Sequence, residues 1–266
     1  MTDDSDATPC RLPHVRLWLA DVDDVRDEAL VARYHALMND AERERQRRFV
    51  FERDRHRYLV TRALVRSVLA RCVDRAPADL AFVVNDYGKP ALAGASRGDL
   101  AFNVSHAGSL VALAVSRGGA LGVDVEHAAQ PLSYDELADH HFAREEADAL
   151  RALPAERRRQ RFFEHWTLKE SYIKARGMGL SLPLDRFGFR LDESGNIALW
   201  TQPDVDDAPQ RWRFAQFAVG DYIVAACAQS AVPIVVDAMR CVPLAGEAPM
   251  ALAALRSSHD AQENPG

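Results

Sequence analysis

The sequence predicts an α+β fold made of a pseudo-two-fold pair of similar subdomains, each a small antiparallel sheet packed with helices. The main observation is the order of the expected elements: a strand, helices and further strands occur twice along the 266 residues. The second is chain length, which is sufficient for two modest units with their own cores. Sequence identity between the halves is too low to demonstrate a duplication, so the repeat is predicted from element order alone.

The first half begins with alternating apolar residues from Val15, which predict a strand. A helical spacing of apolar residues then extends over about residues 40–72. The run Asn85-Asp-Tyr-Gly-Lys-Pro predicts a turn, because Asn, Gly and Pro are typical turn residues. Apolar runs over 100–105 and 110–115, on either side of His106-Ala-Gly-Ser, predict two more strands.

The second half begins with a strand at Leu121 and continues through short helices over 136–142 and 144–153 to a long helix over 157–176. Four strand or turn segments follow, at 187–191, 197–200, 212–217 and 222–229. We therefore expect an N-terminal subdomain over residues 1–120, a C-terminal subdomain over 121–240 that carries the metal site, and a tail over 241–266. Residues 1–10 and 257–266 lack apolar periodicity, and we expect them to be disordered.

Composition excludes several classes of protein. The net charge of −6 and the isoelectric point near 5.9 argue against bulk binding of nucleic acid, which usually needs a basic surface. No apolar run approaches the roughly 18–20 residues of a membrane span, and the acidic start resembles no secretory signal. The four cysteines have neither metal-ligand spacing nor the pairing typical of a disulfide framework. We therefore expect a cytoplasmic protein with free thiols that binds neither nucleic acid nor membrane.

Two charged residues, Lys169 and Glu170, interrupt the apolar face of the long helix. On a helical projection with Phe162 at zero, Ile173 falls at about 20° and Trp166 at about 40°. Glu170 falls at about 80° and Lys169 at about 340°, inside the same apolar arc. A buried charge is costly unless it is paired, coordinated or hydrated. Both residues therefore require partners from elsewhere in the chain.

The strand at Leu121-Gly-Val-Asp-Val-Glu offers partners for Glu170. Its period of two places Asp124 and Glu126 on one face, about 7 Å apart. Together with Glu170 they form the set of hard oxygen ligands that magnesium favours. Two alternatives stay open: a solvated strand face, and an i,i+4 salt bridge between Glu170 and Lys174. The salt bridge is worth only a few tenths of a kcal/mol and does not explain why Glu170 lies in the apolar arc.

Basic residues are concentrated before this strand. Residues 42–71 contain ten arginines and four acids, although the whole chain is acidic. A charged helix face and a site for an anionic small molecule, bound by guanidinium groups, are both compatible with this density. Lys89 on the predicted turn, and the hydroxyl and imidazole of Asn103-Val-Ser-His, are further candidate phosphate contacts, as are Lys169 and Lys174.

Taken in order, four segments of the sequence resemble the surfactin-type 4′-phosphopantetheinyl transferases. They are Tyr87-Gly-Lys-Pro, Phe102-Asn-Val-Ser-His, Gly122-Val-Asp-Val-Glu and Trp166-Thr-Leu-Lys-Glu-Ser-Tyr-Ile-Lys-Ala. The resemblance implies a monomer of two similar halves that binds coenzyme A in the cleft between them. It also implies transfer of the phosphopantetheine arm to a serine of an apo carrier protein of a peptide, polyketide or fatty-acid synthase. Adenosine 3′,5′-bisphosphate would be released.

The same resemblance assigns roles to individual residues. It implies that Asp124, Glu126 and Glu170 hold magnesium, and that Glu170 and Lys169 form the catalytic set, with Glu170 as the base for the incoming serine. It places the coenzyme A phosphates at Lys89, Ser105, His106, Lys169 and Lys174, and the 3′-phosphate near Arg45 and Arg57. Family members often have lysine where Glu42 and Met178 stand here, which changes the number of phosphate contacts that the resemblance implies.

The residues also allow two other functions. A metal-dependent phosphodiesterase would use three acids and a basic helix in a similar way, and it would cleave phosphodiesters without a carrier protein. A non-catalytic module that binds carrier proteins or coenzyme A would share the motifs but show no turnover. The low isoelectric point disfavours polymeric nucleic acid as a substrate, and the complete set of acids favours an enzyme.

Overall fold

The structure is a computed structural model that describes residues 14–94 and 100–258. Within these residues the order of strand, three helices and four strands occurs twice, which confirms the predicted α+β class. The first half consists of β1 (His14–Asp21), α1 (Glu28–Leu37), α2 (Asp40–Arg47), α3 (Glu52–Val73), β2 (Phe82–Val84), β3 (Pro90–Leu92), β4 (Ala101–Ala107) and β5 (Leu110–Ser116). The second half consists of β6 (Leu121–His127), α4 (Tyr134–His141), α5 (Arg144–Arg151), α6 (Ala155–Arg176), β7 (Phe187–Leu191), β8 (Ile197–Thr201), β9 (Trp212–Val219) and β10 (Tyr222–Gln229).

The repeat extends to the topology of the sheets. In the first half β5 lies between β1 and β4, and in the second half β10 lies between β6 and β9, all in antiparallel pairing. The hairpins β2–β3 and β7–β8 follow the long helix in each half. The long helices α3 and α6 are both 22 residues long. Each half is therefore the predicted unit of a small antiparallel sheet packed with helices.

The segment after β10 departs from the predicted division of the chain. Strand β11 (Val235–Val242) crosses the expected boundary at residue 240, pairs in parallel with β1 and is followed by its antiparallel partner β12 (Gly246–Met250). Strand β13 (Ala253–Ser257) pairs with β9. The expected tail thus adds strands to both sheets. Local composition does not reveal this, because a strand pairs with an edge that is distant in sequence.

The two ends of the chain were expected to be disordered. At the C-terminal end this is wrong for its first two residues, since Ser257 ends β13 and Ser258 is buried, with 7% of its surface exposed. Ser258 donates its hydroxyl hydrogen to the backbone oxygen of Ile197, which holds the end of the strand in place. Residues 1–10 and 259–266 lie outside the described residues.

Apolar clusters hold the layers together. Helix α3 packs on one face of the first sheet, and α6 packs on the second sheet and the β7–β8 hairpin. The remaining faces of the two sheets pack on each other through a cluster that includes Leu17, Ala114, Val123, Val125 and Val224. None of the helices in the described residues has the length and apolar character needed to cross a membrane.

The two halves also meet where β4 faces β6. The Oδ1 atom of Asn103 on β4 accepts a hydrogen bond of 2.8 Å from the backbone nitrogen of Val123 on β6. Ser105, two residues further along β4, points to the same side and donates to Asp124 at 2.9 Å. This contact brings the carboxylates of β6 to the boundary between the halves.

Candidate active site

A cavity of about 280 Å³ opens at this boundary. Glu170 and Lys174 of α6 line it on the side of the second half. Tyr87 and Lys89 of the β2–β3 turn, together with Asn103 of β4, line it on the side of the first half. The cavity therefore lies between the two halves, beside the strand that carries Asp124.

Gly122 lets β6 lie directly against the backbone of α6. A Cβ atom at this position would stand 2.0 Å from the backbone oxygen of Ser171 and 2.5 Å from the backbone nitrogen of Ala175. Only glycine fits so close an approach. Asp124 and Glu126 follow at intervals of two and share this face, whereas the intervening valines are buried between the sheets. The strand thus directs both carboxylates toward α6.

Asp124 is buried, with 3% of its surface exposed. Its Oδ1 atom accepts hydrogen bonds from Ser105 Oγ at 2.9 Å and from Lys174 Nζ at 2.6 Å. Its Oδ2 atom is buried and has no hydrogen-bond partner within the described residues. Burial raises the pKa of the Asp124 carboxyl, although the Lys174 ammonium opposes the shift. An unpaired buried oxygen is costly, so Oδ2 is available to a cation, a water or a ligand.

Glu126 and Glu170 share the electrostatic environment of Asp124. Burial raises the pKa of Glu126 to about 7, and the negative charge of Asp124 contributes to the same shift. The pKa of Glu170 is also raised, first by burial and then by the charge of Asp124. Lys174 lowers the pKa of both glutamates, but not enough to cancel these effects. A further cation beside Asp124 would therefore favour the ionised form of all three carboxyls.

The three acids do not form a ready coordination shell. In residues 14–94 and 100–258, no three His, Cys, Asp or Glu side chains lie close enough together to hold a metal ion. The cation that Asp124 contacts is the Lys174 ammonium. The donor set nevertheless fits magnesium by its chemistry, since the groups are carboxylates and Oδ2 of Asp124 is unpartnered. Magnesium also retains water and needs few protein ligands.

Positive side chains lie on the side of Asp124 that faces the first half. Lys174 donates to Ser105 Oγ at 2.8 Å as well as to Asp124, so it contacts both halves. Burial lowers the pKa of His106, and the positive charges of Arg57 and Lys174 lower it further. Ser105 and Lys174 thus meet at Asp124, and His106 lies within the electrostatic influence of Arg57 and Lys174.

The two predicted arginine contacts have different surroundings. Arg57 donates to Asp54 at 2.7 Å and to the backbone oxygen of Gly108 at 3.4 Å, which holds it at the β4–β5 turn near His106. Arg45 is exposed on α2, and its guanidinium lies 5.9 Å from the ring centroid of Tyr58 on α3. Arg57 is therefore held beside the β4–β5 turn, whereas Arg45 is paired with an aromatic ring of the neighbouring helix.

Lys89 lines the cavity but is largely engaged by the protein itself. Its Nζ atom donates to the backbone oxygens of Leu121 and Ala175, both at 2.9 Å, and burial lowers its pKa to about 8. Asn85 of the same turn donates to the backbone oxygen of Gly177 at 2.8 Å. The turn thus satisfies carbonyl groups at the C-terminal end of α6. These bonds make Lys89 a link between the two halves. The sequence analysis predicted a phosphate contact for Lys89 and not this structural role.

Lys169 does not reach the site, and its predicted role as a catalytic and phosphate-binding residue is wrong. Its side chain is fully buried. Its Nζ atom lies 2.7 Å from Glu146 Oε2 and donates to the backbone oxygens of Leu184 and Phe187 at 2.8 and 2.6 Å. These three acceptors use all three ammonium hydrogens. The projection placed Lys169 correctly in the apolar arc, but its partner is an acid on another helix.

Two residues that support Glu126 were absent from the sequence prediction. Gln130 Nε2 donates to Glu126 Oε2 at 3.2 Å, and a hydrogen bond from Trp166 also lowers the pKa of Glu126. Gln130 lies outside the helices and strands, where no periodic pattern could have indicated it. Trp166 precedes Glu170 by one helical turn on the same face, and this spacing was the available signal.

Comparison with known proteins matches most of the chain to a single family. Residues 120–227 match the 4′-phosphopantetheinyl transferase superfamily, and residues 27–118 match the N-terminal region of 4′-phosphopantetheinyl transferases. A phosphopantetheinyl transferase of Thraustochytrium sp. is 35% identical over 201 residues, which cover 71% of this chain and 69% of that protein.

Two bacterial proteins show a similar degree of likeness. The 4′-phosphopantetheinyl transferase Sfp of Bacillus subtilis is 36% identical over 167 residues, or 63% of this chain and 72% of that protein. The 4′-phosphopantetheinyl transferase HetI of Nostoc sp. is 30% identical over 215 residues, or 80% of this chain and 86% of that protein. Motifs, fold and relatives agree, and the chain therefore belongs to the 4′-phosphopantetheinyl transferases.

Proposed function

We propose that this protein transfers the 4′-phosphopantetheine arm of coenzyme A to a serine of an apo carrier protein in the cleft beside Asp124. Family membership supports the type of reaction. The observation that carries the location is the Asp124 carboxylate, with Oδ1 bound by Lys174 and Ser105 and Oδ2 buried without a partner in the described residues. A free carboxylate oxygen beside an ammonium group suits a metal ion and the phosphates that it binds.

Magnesium is the cation that we propose for this site. Asp124, Glu126 and Glu170 would hold it, with water and substrate phosphate supplying further ligands. When bound, it would neutralise charge on the pyrophosphate oxygens of coenzyme A. The raised pKa values of the three carboxyls support this assignment, because they indicate a negative region that a bound cation would stabilise.

The positive side chains of the cleft would bind and orient the pyrophosphate. Negative charge develops on the non-bridging and leaving oxygens during the attack, and fixed cations stabilise it. Lys174, which donates to Asp124, and His106, which follows Ser105 on β4, are our candidates for this contact. Arg57, held at the β4–β5 turn, is our candidate for the 3′-phosphate. Arg45 is a weaker candidate, because its guanidinium packs on Tyr58.

Glu170 is the base that we propose for the incoming serine. Its carboxylate takes the hydroxyl proton while the serine oxygen forms a bond to the phosphorus that carries the pantetheine arm. The bond from this phosphorus to the bridging oxygen breaks, and adenosine 3′,5′-bisphosphate leaves with the electron pair. Since Glu170 must be ionised to accept the proton, its raised pKa limits the reaction at low pH.

The partner would be an apo carrier protein of a peptide, polyketide or fatty-acid synthase, and we propose that the enzyme acts on it as a cytoplasmic monomer. One chain supplies both sides of the cleft, with Ser105 from the first half and Asp124 and Lys174 from the second. The net charge of −6 argues against nucleic acid as a partner.

The test is incubation with coenzyme A, magnesium chloride and a panel of apo carrier proteins, followed by intact-mass spectrometry. We expect one phosphopantetheine increment on the carrier, release of adenosine 3′,5′-bisphosphate, and no reaction in excess EDTA. Absence of the increment from all three classes of carrier would contradict the proposal. Cleavage of coenzyme A without a carrier would instead indicate a phosphodiesterase.

A Glu170→Gln variant tests the assignment of the base. The increment should disappear while the unfolding midpoint stays close to that of the wild type. Glu136→Gln, at an exposed position of α4, is the matched control and should remain active. Full activity of Glu170→Gln would remove Glu170 from this role.

A further inference from the structure

The buried network around Lys169 joins three elements of the second half. Glu146 of α5 accepts hydrogen bonds from the backbone nitrogen of Phe189 on β7 at 2.8 Å and from that of Ala143 at 3.2 Å. His165 Nδ1 on α6 lies 3.2 Å from Glu146 Oε1, and Lys169 Nζ lies 2.7 Å from Oε2. The Lys169 ammonium also binds two carbonyl groups between residues 184 and 187. The network fixes α6 against both α5 and the β7–β8 hairpin.

The first half contains a network of the same design. Glu42 of α2 accepts a hydrogen bond of 2.9 Å from Arg66 Nε on α3 and also pairs with Arg62. Arg66 is fully buried and donates to backbone oxygens of the segment after α3, at Pro77 and Leu80. Glu42 further accepts a hydrogen bond from the backbone nitrogen of Asn39, at the start of its own helix.

The two networks occupy equivalent positions. Glu42 and Glu146 are each the third residue of a short helix, and Arg66 and Lys169 are each the fifteenth residue of a 22-residue helix. Arg62 and His165 are each the eleventh. A buried acid that pairs two basic residues of the long helix is therefore a structural feature of both halves. Lys169 belongs to this feature, which explains its place on the apolar arc.

The two halves differ in the residue that follows Arg66 on α3 and Lys169 on α6. Ser67 follows Arg66 and donates to the backbone oxygen of Leu64 within its own helix. Glu170 follows Lys169 and lies in the electrostatic environment of Asp124. Successive residues differ by 100° around a helix, so fixing Lys169 also fixes the direction in which Glu170 points. In the first half the equivalent residue is Ser67, so fixing Arg66 positions no carboxylate.

We propose that Glu146 and Lys169 are positioning residues that set the rotation of α6 and so hold Glu170 beside Asp124. A side chain extends roughly 5–6 Å from the helix axis, so a rotation of about 10° moves its end by about 1 Å. Misplacement on this scale lowers the rate of a reaction by roughly 100-fold. The proposal rests on the function proposed for Glu170 above.

The test compares matched double variants of the two halves. Lys169→Met with Glu146→Gln removes both charges in the second half, and Arg66→Met with Glu42→Gln does the same in the first. Each double variant avoids leaving the fully buried charge of Lys169 or Arg66 without its acid, which would be strongly destabilising, whereas Arg62, with 15% of its side chain exposed, loses Glu42. For each protein we would measure the unfolding midpoint, the turnover number on an apo carrier, and the shift of the midpoint caused by magnesium chloride.

We expect that only the second-half double variant changes turnover and the response to magnesium. Both double variants should unfold at a lower temperature, but only the second-half variant should lose turnover by roughly 100-fold and lose its magnesium-induced shift. Equal turnover and equal shifts in the two variants would overturn the proposal, because the network would then be merely structural.

The same experiment separates the two proposals. If the wild type itself modifies no carrier, the proposed function fails, whereas the magnesium-induced shift still reports whether the network places Glu170. If the wild type is active and the second-half variant matches the first-half variant, the positioning proposal fails alone.

Discussion

Lys174 Nζ lies 2.6 Å from Oδ1 of Asp124, and this contact joins the long helix of the second half to its first strand. Ser105 of the first half donates to the same oxygen, so one carboxylate atom links both halves. Oδ2 remains without a partner in the part of the chain that the structure describes. Asp124 is therefore both a structural junction and the candidate centre of the site.

Lys174→Met should shift the pH dependence of turnover. The Lys174 ammonium lowers the pKa of Asp124, Glu126 and Glu170, so its removal allows all three values to rise. The acidic limb of the pH–rate profile should move to higher pH, and the maximal rate should fall because the proposed contact of Lys174 with phosphate is removed. Arg71→Met changes the equivalent residue of α3 and is the control. An unchanged profile would contradict the role given to Lys174.

Glu126→Gln should make the metal-free protein more stable at alkaline pH. The folded protein raises the pKa of Glu126 from 4.5 to about 7, so the folded state binds this proton more tightly than the unfolded state. Stability contributed by the protonated group is therefore lost as the pH rises through this interval. In EDTA, the variant should unfold at a higher temperature than the wild type at pH 8. At pH 4 the advantage should shrink, and an advantage that instead grew with acidity would refute the shift.

Gly122→Ala should disrupt the packing of β6 on α6. The added methyl group would lie 2.0 Å from the backbone oxygen of Ser171, which neither backbone can accommodate without moving. We expect a loss of about 3 kcal/mol in the free energy of unfolding, measured by urea denaturation. Gly246→Ala is the control, because nothing lies within 4 Å of a Cβ at that strand position. Equal stability of the two variants would show that α6 does not pack here as described.

Removal of the chain after residue 233 should destabilise both halves. This truncation deletes β11 and β12, which extend the first sheet beside β1, and β13, which covers β9. The edges of β1 and β9 would become exposed, and exposed edges promote aggregation. We expect a lower unfolding midpoint and more aggregate in size-exclusion chromatography. A truncation after Ser258 retains every described strand and is the reference. A monomeric, fully stable short form would contradict this account.

Sequence analysis predicted those features of the candidate site that depend on local strand and helix geometry. The period of β6 placed Asp124 and Glu126 on one face, Gly122 indicated a close approach of another backbone, and the projection of α6 placed Glu170 on its inner side. The role of Lys169 was misinterpreted. Its position on the helical projection shows that the side chain needs a partner, but the projection cannot identify that partner. Glu146, the actual partner, lies 23 residues earlier on another helix.

Long-range pairing was equally hidden from the sequence. Lys89 was predicted to contact phosphate, yet it binds carbonyl groups of Leu121 and Ala175, which only the packed halves bring within reach. The pairing of β11 with β1 joins segments more than 200 residues apart. Neither contact leaves a local pattern, because each depends on how the two halves meet.

The most direct test is intact-mass spectrometry of an apo carrier protein treated with coenzyme A, magnesium and either the wild type or Asp124→Asn. Both enzymes should first be shown to be folded by their unfolding midpoints. The account predicts complete modification of the carrier by the wild type and no detectable phosphopantetheine increment with folded Asp124→Asn. Modification at the wild-type rate by Asp124→Asn would contradict the claim that the reaction takes place at this carboxylate.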